Sequence, residues 1–170
     1  MVNRIAEMLR QAGAVTFGDF VLASGARSTY YIDVKNAITD PFVLKAIGEV
    51  IGQSMTCDVV AGVAVGGIPL AVATSLSLGI PYAIVRSEVK SHGKSSPIIG
   101  NVRGKKVVLV EDVTTSGGSA LKAVNALRQE GAYVDTVVAI VDREEGAVEL
   151  LKNAGCHLLS LTSVHELVSV

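Results

Sequence analysis

The chain has 170 residues and a mass of 17.6 kDa, enough to bury one core without disulfides or structural metals. Its formal net charge is −1 and no basic run stands out, which excludes a large nucleic-acid footprint and favours small-molecule substrates. The cysteines, Cys57 and Cys156, lie far apart beside apolar segments without metal-ligand spacing, and read as buried thiols of a reducing cytosol.

Taken in chain order, Arg4 to Ala12 sets Ile5, Met8 and Leu9 at helical spacing, and Gly13 ends the run. The stretch "FGDFVLASGARSTYYIDV" alternates and turns at Ser24-Gly25, predicting a hairpin with arms near Phe17–Leu22 and Thr29–Asp33. Asp40 caps a helix that opens with Pro41 and runs to about Met55. Short aliphatic strands are then expected at Val59–Val63, Tyr82–Val85, Val107–Val110, Val134–Val141 and His157–Ser160. They alternate with helical patterns at Ile68–Leu78, Ser119–Glu130 and Gly146–Ala154, and Ser163 with Glu166 predicts a last short capped helix. Continuous β-branched runs between amphipathic helices indicate an α/β chain with a parallel sheet covered on both faces. His157 and His165 sit in apolar contexts and read as structural.

Mean hydropathy is +0.48, and Val59 to Val85 carries no charged residue, so a membrane span has to be weighed. Gly62, Gly66, Gly67, Pro69, Gly79 and Pro81 break that stretch into strand, glycine loop, helix and strand, which is the pattern of a buried α/β unit. The N-terminal "MVNRIAEMLRQAG" holds charges where a signal peptide needs an apolar core, so a cytoplasmic protein is expected.

In open parallel sheets, ligands bind beyond the carboxyl ends of the strands. The loops that follow strands here are "AVGG", "RSEVKSHGKSSP", "EDVTTSGGS" and "DREEG". The third sets two carboxylates, Glu111 and Asp112, beside Val113, Thr114, Thr115, Ser116, Gly117, Gly118 and Ser119. Hydroxyls and bare backbone N–H groups at a helix start hold a phosphate, whereas carboxylates accept hydrogen bonds from neutral sugar hydroxyls. A phosphorylated ribose meets both demands. The loop is neither a P-loop, because Ser119 rather than lysine follows Gly118, nor a dinucleotide GxGxxG. Arg143 lies between a strand and two acids, which fits either a surface ion pair or a guanidinium that meets a planar carboxylate.

The acidic pair followed by "VTTSGGS" resembles the phosphoribosyl pyrophosphate signature of the type I phosphoribosyltransferases. "RSEVKSHG" resembles the catalytic loop of the orotate phosphoribosyltransferases, "LASGARSTYYID" their base-binding hairpin, and "DREEG" their arginine-containing loop. The likeness runs in order over nearly the whole chain. It implies a twisted, mainly parallel sheet flanked by helices with a small N-terminal hood, in one domain over residues 1–170 with about 1–38 forming hood and hairpin. It further implies transfer of phosphoribosyl from its pyrophosphate to orotate in pyrimidine biosynthesis, with Mg²⁺ bound mainly through substrate. A homodimer whose lid is shared across subunits is implied as well, and an orotidine monophosphate decarboxylase is a candidate partner.

Carried over residue by residue, Glu111 and Asp112 would hold the ribose hydroxyls and Thr114 to Ser119 the 5-phosphate, with Val113 also in the set that binds phosphoribosyl pyrophosphate. Arg86, Lys90 and His92 would meet the pyrophosphate, and Thr115, Arg143, Tyr31 and Ile32 the orotate; Lys90, His92, Arg86 and Asp112 form the implied catalytic set. Lysines common in bacterial members are replaced here by Ala23, Gly66 and Ser87, which shifts reliance to Arg86, Lys90 and the metal. The competing readings are a phosphoribosyltransferase for another base, a regulator that senses phosphoribosyl pyrophosphate without turnover, and a ribose-phosphate hydrolase. The first shares the ribose-phosphate site, the second would lack the lid cations, and the third would need a water-activating group.

Overall fold

A computed structural model describes residues 4–21, 25, 27–87 and 96–169. The chain opens with α1 (Arg4–Gln11), followed by the antiparallel hairpin β1 (Val15–Val21) and β2 (Arg27–Ile32). A short α2 (Val34–Ala37) and the longer α3 (Pro41–Gln53) lead into β3 (Val59–Val63), α4 (Gly67–Leu78) and β4 (Tyr82–Val85). Then come β5 (Ile98–Ile99), β6 (Lys106–Thr114), α5 (Gly118–Gln129), β7 (Tyr133–Asp142), α6 (Ala147–Asn153), β8 (His157–Ser163) and α7 (Val164–Val168). The main sheet has the order β5-β4-β3-β6-β7-β8, parallel throughout except for β5 at the edge.

The expected strands and helices form among the described residues, while Leu22 and Ser24 of the predicted hairpin turn lie outside them, and several helix ends are set by the chemistry read from the sequence. Asp40 accepts hydrogen bonds from the N–H groups of Phe42 and Val43, with Pro41 at the first helical position. Ser163 and Glu166 close a reciprocal capping box on α7. The α3 helix stops at Gln53, two residues short of the expected Met55, with Ser54 as its C-cap. The two-residue antiparallel β5 and the single turn α2 were not expected, because neither is long enough to show a period.

Alternation along the central strands divides the core between two faces. Val60, Val108, Val110, Val138 and Ile140 pack with α1, α3 and α4 on one side. Val59, Ala61, Val107, Leu109 and Val137 pack with Ala123, Val124 and Leu127 of α5 on the other. The sheet buried on both faces is therefore the physical reason for the uninterrupted aliphatic runs. Among the described residues, no helix is long and apolar enough to cross a membrane.

Two smaller expectations are corrected. Cys156 is buried, but Cys57 is only half-buried, because it lies just before β3 rather than within it. His157 and His165 are both exposed, at the first residue of the last strand and on the solvent side of α7.

Candidate active site

The strand order changes direction between β3 and β6, whose neighbours β4 and β7 lie on opposite sides. At such a switch point the two following loops separate and leave a crevice beyond the strand ends. Here the crevice is bordered by residues 64–67 after β3 and by the end of β6 with its loop to α5.

Glu111 and Asp112 belong to the strand itself and not to the loop after it, as the sequence reading had them. Strand β6 continues to Thr114 because β7 stays paired with it as far as Asp142. The two strand ends are tied by the Thr114 hydroxyl, which donates to Asp142 Oδ1 at 3.0 Å, and by Arg143 N–H to the Thr114 carbonyl at 2.9 Å. Asp142 Oδ1 also accepts from the N–H of Glu144 at 3.2 Å, a residue that takes a left-handed φ of 60°. As a result both acids are placed by ladder bonds rather than by a flexible turn, and each is 6% exposed.

Burial, and then the charge of neighbouring Asp112, push the Glu111 carboxyl up to about 7, against the opposing pull of Ser119 and Lys35. Ser119 Oγ lies 3.4 Å from Glu111 Oε1. Asp112 Oδ2 meets Lys35 Nζ at 2.7 Å, a lysine that the sequence reading did not single out. This pairing raises the Lys35 ammonium above its ordinary range, chiefly through its hydrogen bond to Asp112.

Beyond Thr114 the chain turns into α5 through Gly117, whose φ of 80° is left-handed and whose missing Cβ would stand 3.0 Å from Ala147 Cα. The first helical bond runs from Leu121 N–H to the Gly117 carbonyl at 2.9 Å, so the N–H groups before it have no helical acceptor. No side chain caps this end. A cavity of about 70 Å³ lies there, lined by Glu111 and residues 113–120, with Thr115, Ser116 and Ser119 exposed. Among the described residues, wider cavities lie elsewhere as well; one of about 410 Å³ opens beside Lys106, at the opposite end of β6. Size does not mark the site, whereas converging polar groups do.

On the other wall, β3 and α4 approach so closely that a Cβ on Gly62 would fall 2.1 Å from the Gly67 carbonyl oxygen. Gly66 faces Asp112, and a Cβ there would lie 2.5 Å from the Asp112 carboxyl carbon. The glycine loop therefore does two jobs: it seats α4 on the sheet and leaves room for the acid.

The remaining sequence-derived residues are more loosely placed. Arg86 is exposed just after β4, its N–H bonded to the Pro97 carbonyl at 2.9 Å. Lys90 and His92 lie outside the described residues. Arg143 Nε pairs with Glu145 Oε1 at 2.9 Å. Tyr31 is half-exposed on the hairpin, tilted against Phe20 with ring centroids 5.7 Å apart, and Ile32 is partly buried beside it. The motifs on β6 and α5 converge by construction, since they are contiguous. Lys35 was missed because its partner lies far along the chain, and the "YYIDVKN" around it carries no spacing signal for that contact.

A crevice beyond the ends of the central strands that sets two buried acids beside an uncapped helix N-terminus has the chemistry to suit a phosphorylated sugar, as in a transferase of the phosphoribosyl class. The family model of the phosphoribosyl transferase domain matches residues 36–161. Orotate phosphoribosyltransferase of Methanoculleus marisnigri is 60% identical over 168 residues, covering 99% of each chain. The crystal structure of Mycobacterium tuberculosis orotate phosphoribosyltransferase in complex with Fe(III) dicitrate superposes with a TM-score of 0.87 at 32% identity, covering 98% of each chain. That of the Aeropyrum pernix orotate phosphoribosyltransferase gives 0.86 at 37% identity over 96% of each. The chain belongs to the phosphoribosyl transferase family and, within it, to the orotate phosphoribosyltransferases.

Proposed function

We propose that this chain transfers the phosphoribosyl group of 5-phosphoribosyl 1-pyrophosphate to orotate, giving orotidine 5-monophosphate and pyrophosphate for pyrimidine biosynthesis. The observation that carries this reading is the pairing of two buried carboxylates on β6 with the uncapped N-terminus of α5. Glu111 and Asp112 take the ribose hydroxyls, while Thr115, Ser116 and the N–H groups of residues 117–119 take the 5-phosphate. The Thr114 hydroxyl, committed to Asp142, holds the two strand ends together.

As pyrophosphate leaves, positive charge grows at the anomeric carbon, and the Asp112 carboxylate offsets it from a fixed position. Arg86 at the end of β4 faces the departing group, and Lys90 and His92 are assigned to it on the sequence likeness alone. Arg143 exchanges its Glu145 carboxylate for that of orotate, and Tyr31 and Ile32 on the hairpin flank the base.

The likeness also implies Mg²⁺. Asp112 already faces the Lys35 ammonium, which suits a metal carried mainly on substrate oxygens. When bound, such an ion would supply positive charge against the pyrophosphate oxygens. The reading includes a cytoplasmic homodimer with the lid shared between subunits, and a decarboxylase as the consumer of the product; the free thiols Cys57 and Cys156 are in keeping with that compartment.

The test supplies phosphoribosyl pyrophosphate, Mg²⁺ and a panel of bases and follows pyrophosphate release. Orotate alone should support turnover. Release with adenine or uracil and not orotate would reassign the base, and tight binding without turnover on any base would favour a sensor.

A further inference from the structure

We propose that Lys35 is a positioning residue of the ribose clamp: its ammonium, delivered by the turn α2, holds the Asp112 carboxylate against the glycine loop. The proposal rests on the functional reading above and adds to it a residue far from the signature motif.

Geometry places Asp112 between two boundaries. On one side Gly66 has no side chain, and a Cβ there would stand within 2.5 Å of the carboxyl group. On the other, Lys35 Nζ reaches Oδ2 at 2.7 Å. A carboxylate that is 6% exposed needs such a partner to offset its lost hydration. The cation is thus supplied from position 35, and position 66 must remain bare for the carboxylate to sit there.

The turn that carries Lys35 is anchored independently of it. Asp33 caps α2 by accepting from the N–H of Asn36 at 3.0 Å, and its own N–H donates to the Ala14 carbonyl at 2.8 Å. Val34 and Ala37 are each 1% exposed within the main core. Between them Lys35 projects outward, its side chain 62% exposed apart from the ion pair. Replacing it leaves the anchor intact, so a change at this position reads the clamp and not the fold.

Other charges face the pair. Glu111 is adjacent to Asp112, and Asp33 lies on the same turn as Lys35; both are acids that Lys35 also attracts. Lys35 meets Asp112 directly at 2.7 Å, whereas Glu111 lies beside Ser119 and its carboxyl is pushed up by burial and by the charge of Asp112.

The experiment is a double-mutant cycle read by calorimetric binding of phosphoribosyl pyrophosphate with Mg²⁺, with circular dichroism on each variant. Lys35→Met should weaken binding about tenfold and Asp112→Asn about thirtyfold, while the double variant should match Asp112→Asn within about twofold, because the lysine acts through that carboxylate. Lys35→Arg should stay within about threefold of the unmodified protein, and the KM for orotate should move by less than about twofold throughout. Two independent effects that multiply in the double variant would overturn the proposal, as would unmodified binding by Lys35→Met or an arginine variant as weak as the methionine one. Absence of binding by the unmodified protein would overturn the functional reading itself, and so separates the two failures.

Discussion

The end of β6 and the β1–β2 hairpin solve opposite problems. At the end of β6 the chain is held by other elements: Thr114 by Asp142, Asp112 by Lys35, and the turn at Gly117 by the close approach of Ala147. On the hairpin, Phe17, Val21 and Tyr31 are exposed, the ladder shifts register between Phe17 and Phe20, and the two strands form a sheet of their own. The difference teaches where precision is needed. A sugar phosphate with a breaking bond requires fixed charges, for which a buried strand end suffices without reorganisation. A flat base requires a surface that can settle on it, and a two-stranded ribbon yields more readily than a six-stranded sheet.

The contrast can be broken first at the scaffold. Gly62→Ala should be the most damaging change, because its Cβ would fall 2.1 Å from the Gly67 carbonyl and drive α4 away from β3. A loss of about 3 kcal/mol in urea unfolding is expected, with the clamp disordered even where protein remains folded. A variant as stable as the unmodified protein would mean that the β3–α4 seat can slide, contrary to the rigid reading of this wall.

Glu111 sharpens the same side through pH. Its carboxyl is pushed up to about 7, mainly by burial, whereas the unfolded chain leaves it near its ordinary 4.5. Between those values the folded protein binds a proton that the unfolded chain has released, so this group's contribution is full below about pH 4.5 and is lost as pH rises to about 7. Stability should therefore fall by about 2–3 kcal/mol across that window relative to Glu111→Gln, which keeps a neutral side chain throughout. Parallel pH profiles for the two proteins would exclude a raised Glu111.

On the hairpin, Tyr31→Ala should cost less than about 1 kcal/mol of stability, since the ring is 49% exposed and its aromatic contact is with Phe20 alone. The effect should fall instead on the KM for orotate, raised several-fold, with binding of phosphoribosyl pyrophosphate unchanged. An equal loss at both substrates would place the hairpin within the sugar-phosphate clamp and erase the division between the two regions.

Much of this was legible because it is local. Aliphatic runs alternating with amphipathic helices specified a doubly covered parallel sheet, and Asp40-Pro41 and Ser163 with Glu166 marked helix starts that the structure places within a residue. The signature "EDVTTSGGS" announced its own chemistry, since neighbours in the chain must be neighbours in space. The hydrogen bond from the Thr114 hydroxyl to Asp142 that ties the end of β6, by contrast, joins strands separated by a whole helix.

What the amino-acid sequence by itself determined is the class of fold and the adjacency of two acids to a hydroxyl- and glycine-rich helix start, both written in short-range spacing. Only the tertiary structure decided that those acids are buried and unequal, that Gly66 must stay bare, and that the partner of Asp112 is Lys35. The physical reason is that burial and ion pairing depend on which elements the folded sheet brings together. A lysine on an isolated turn carries no mark of the carboxylate it will meet.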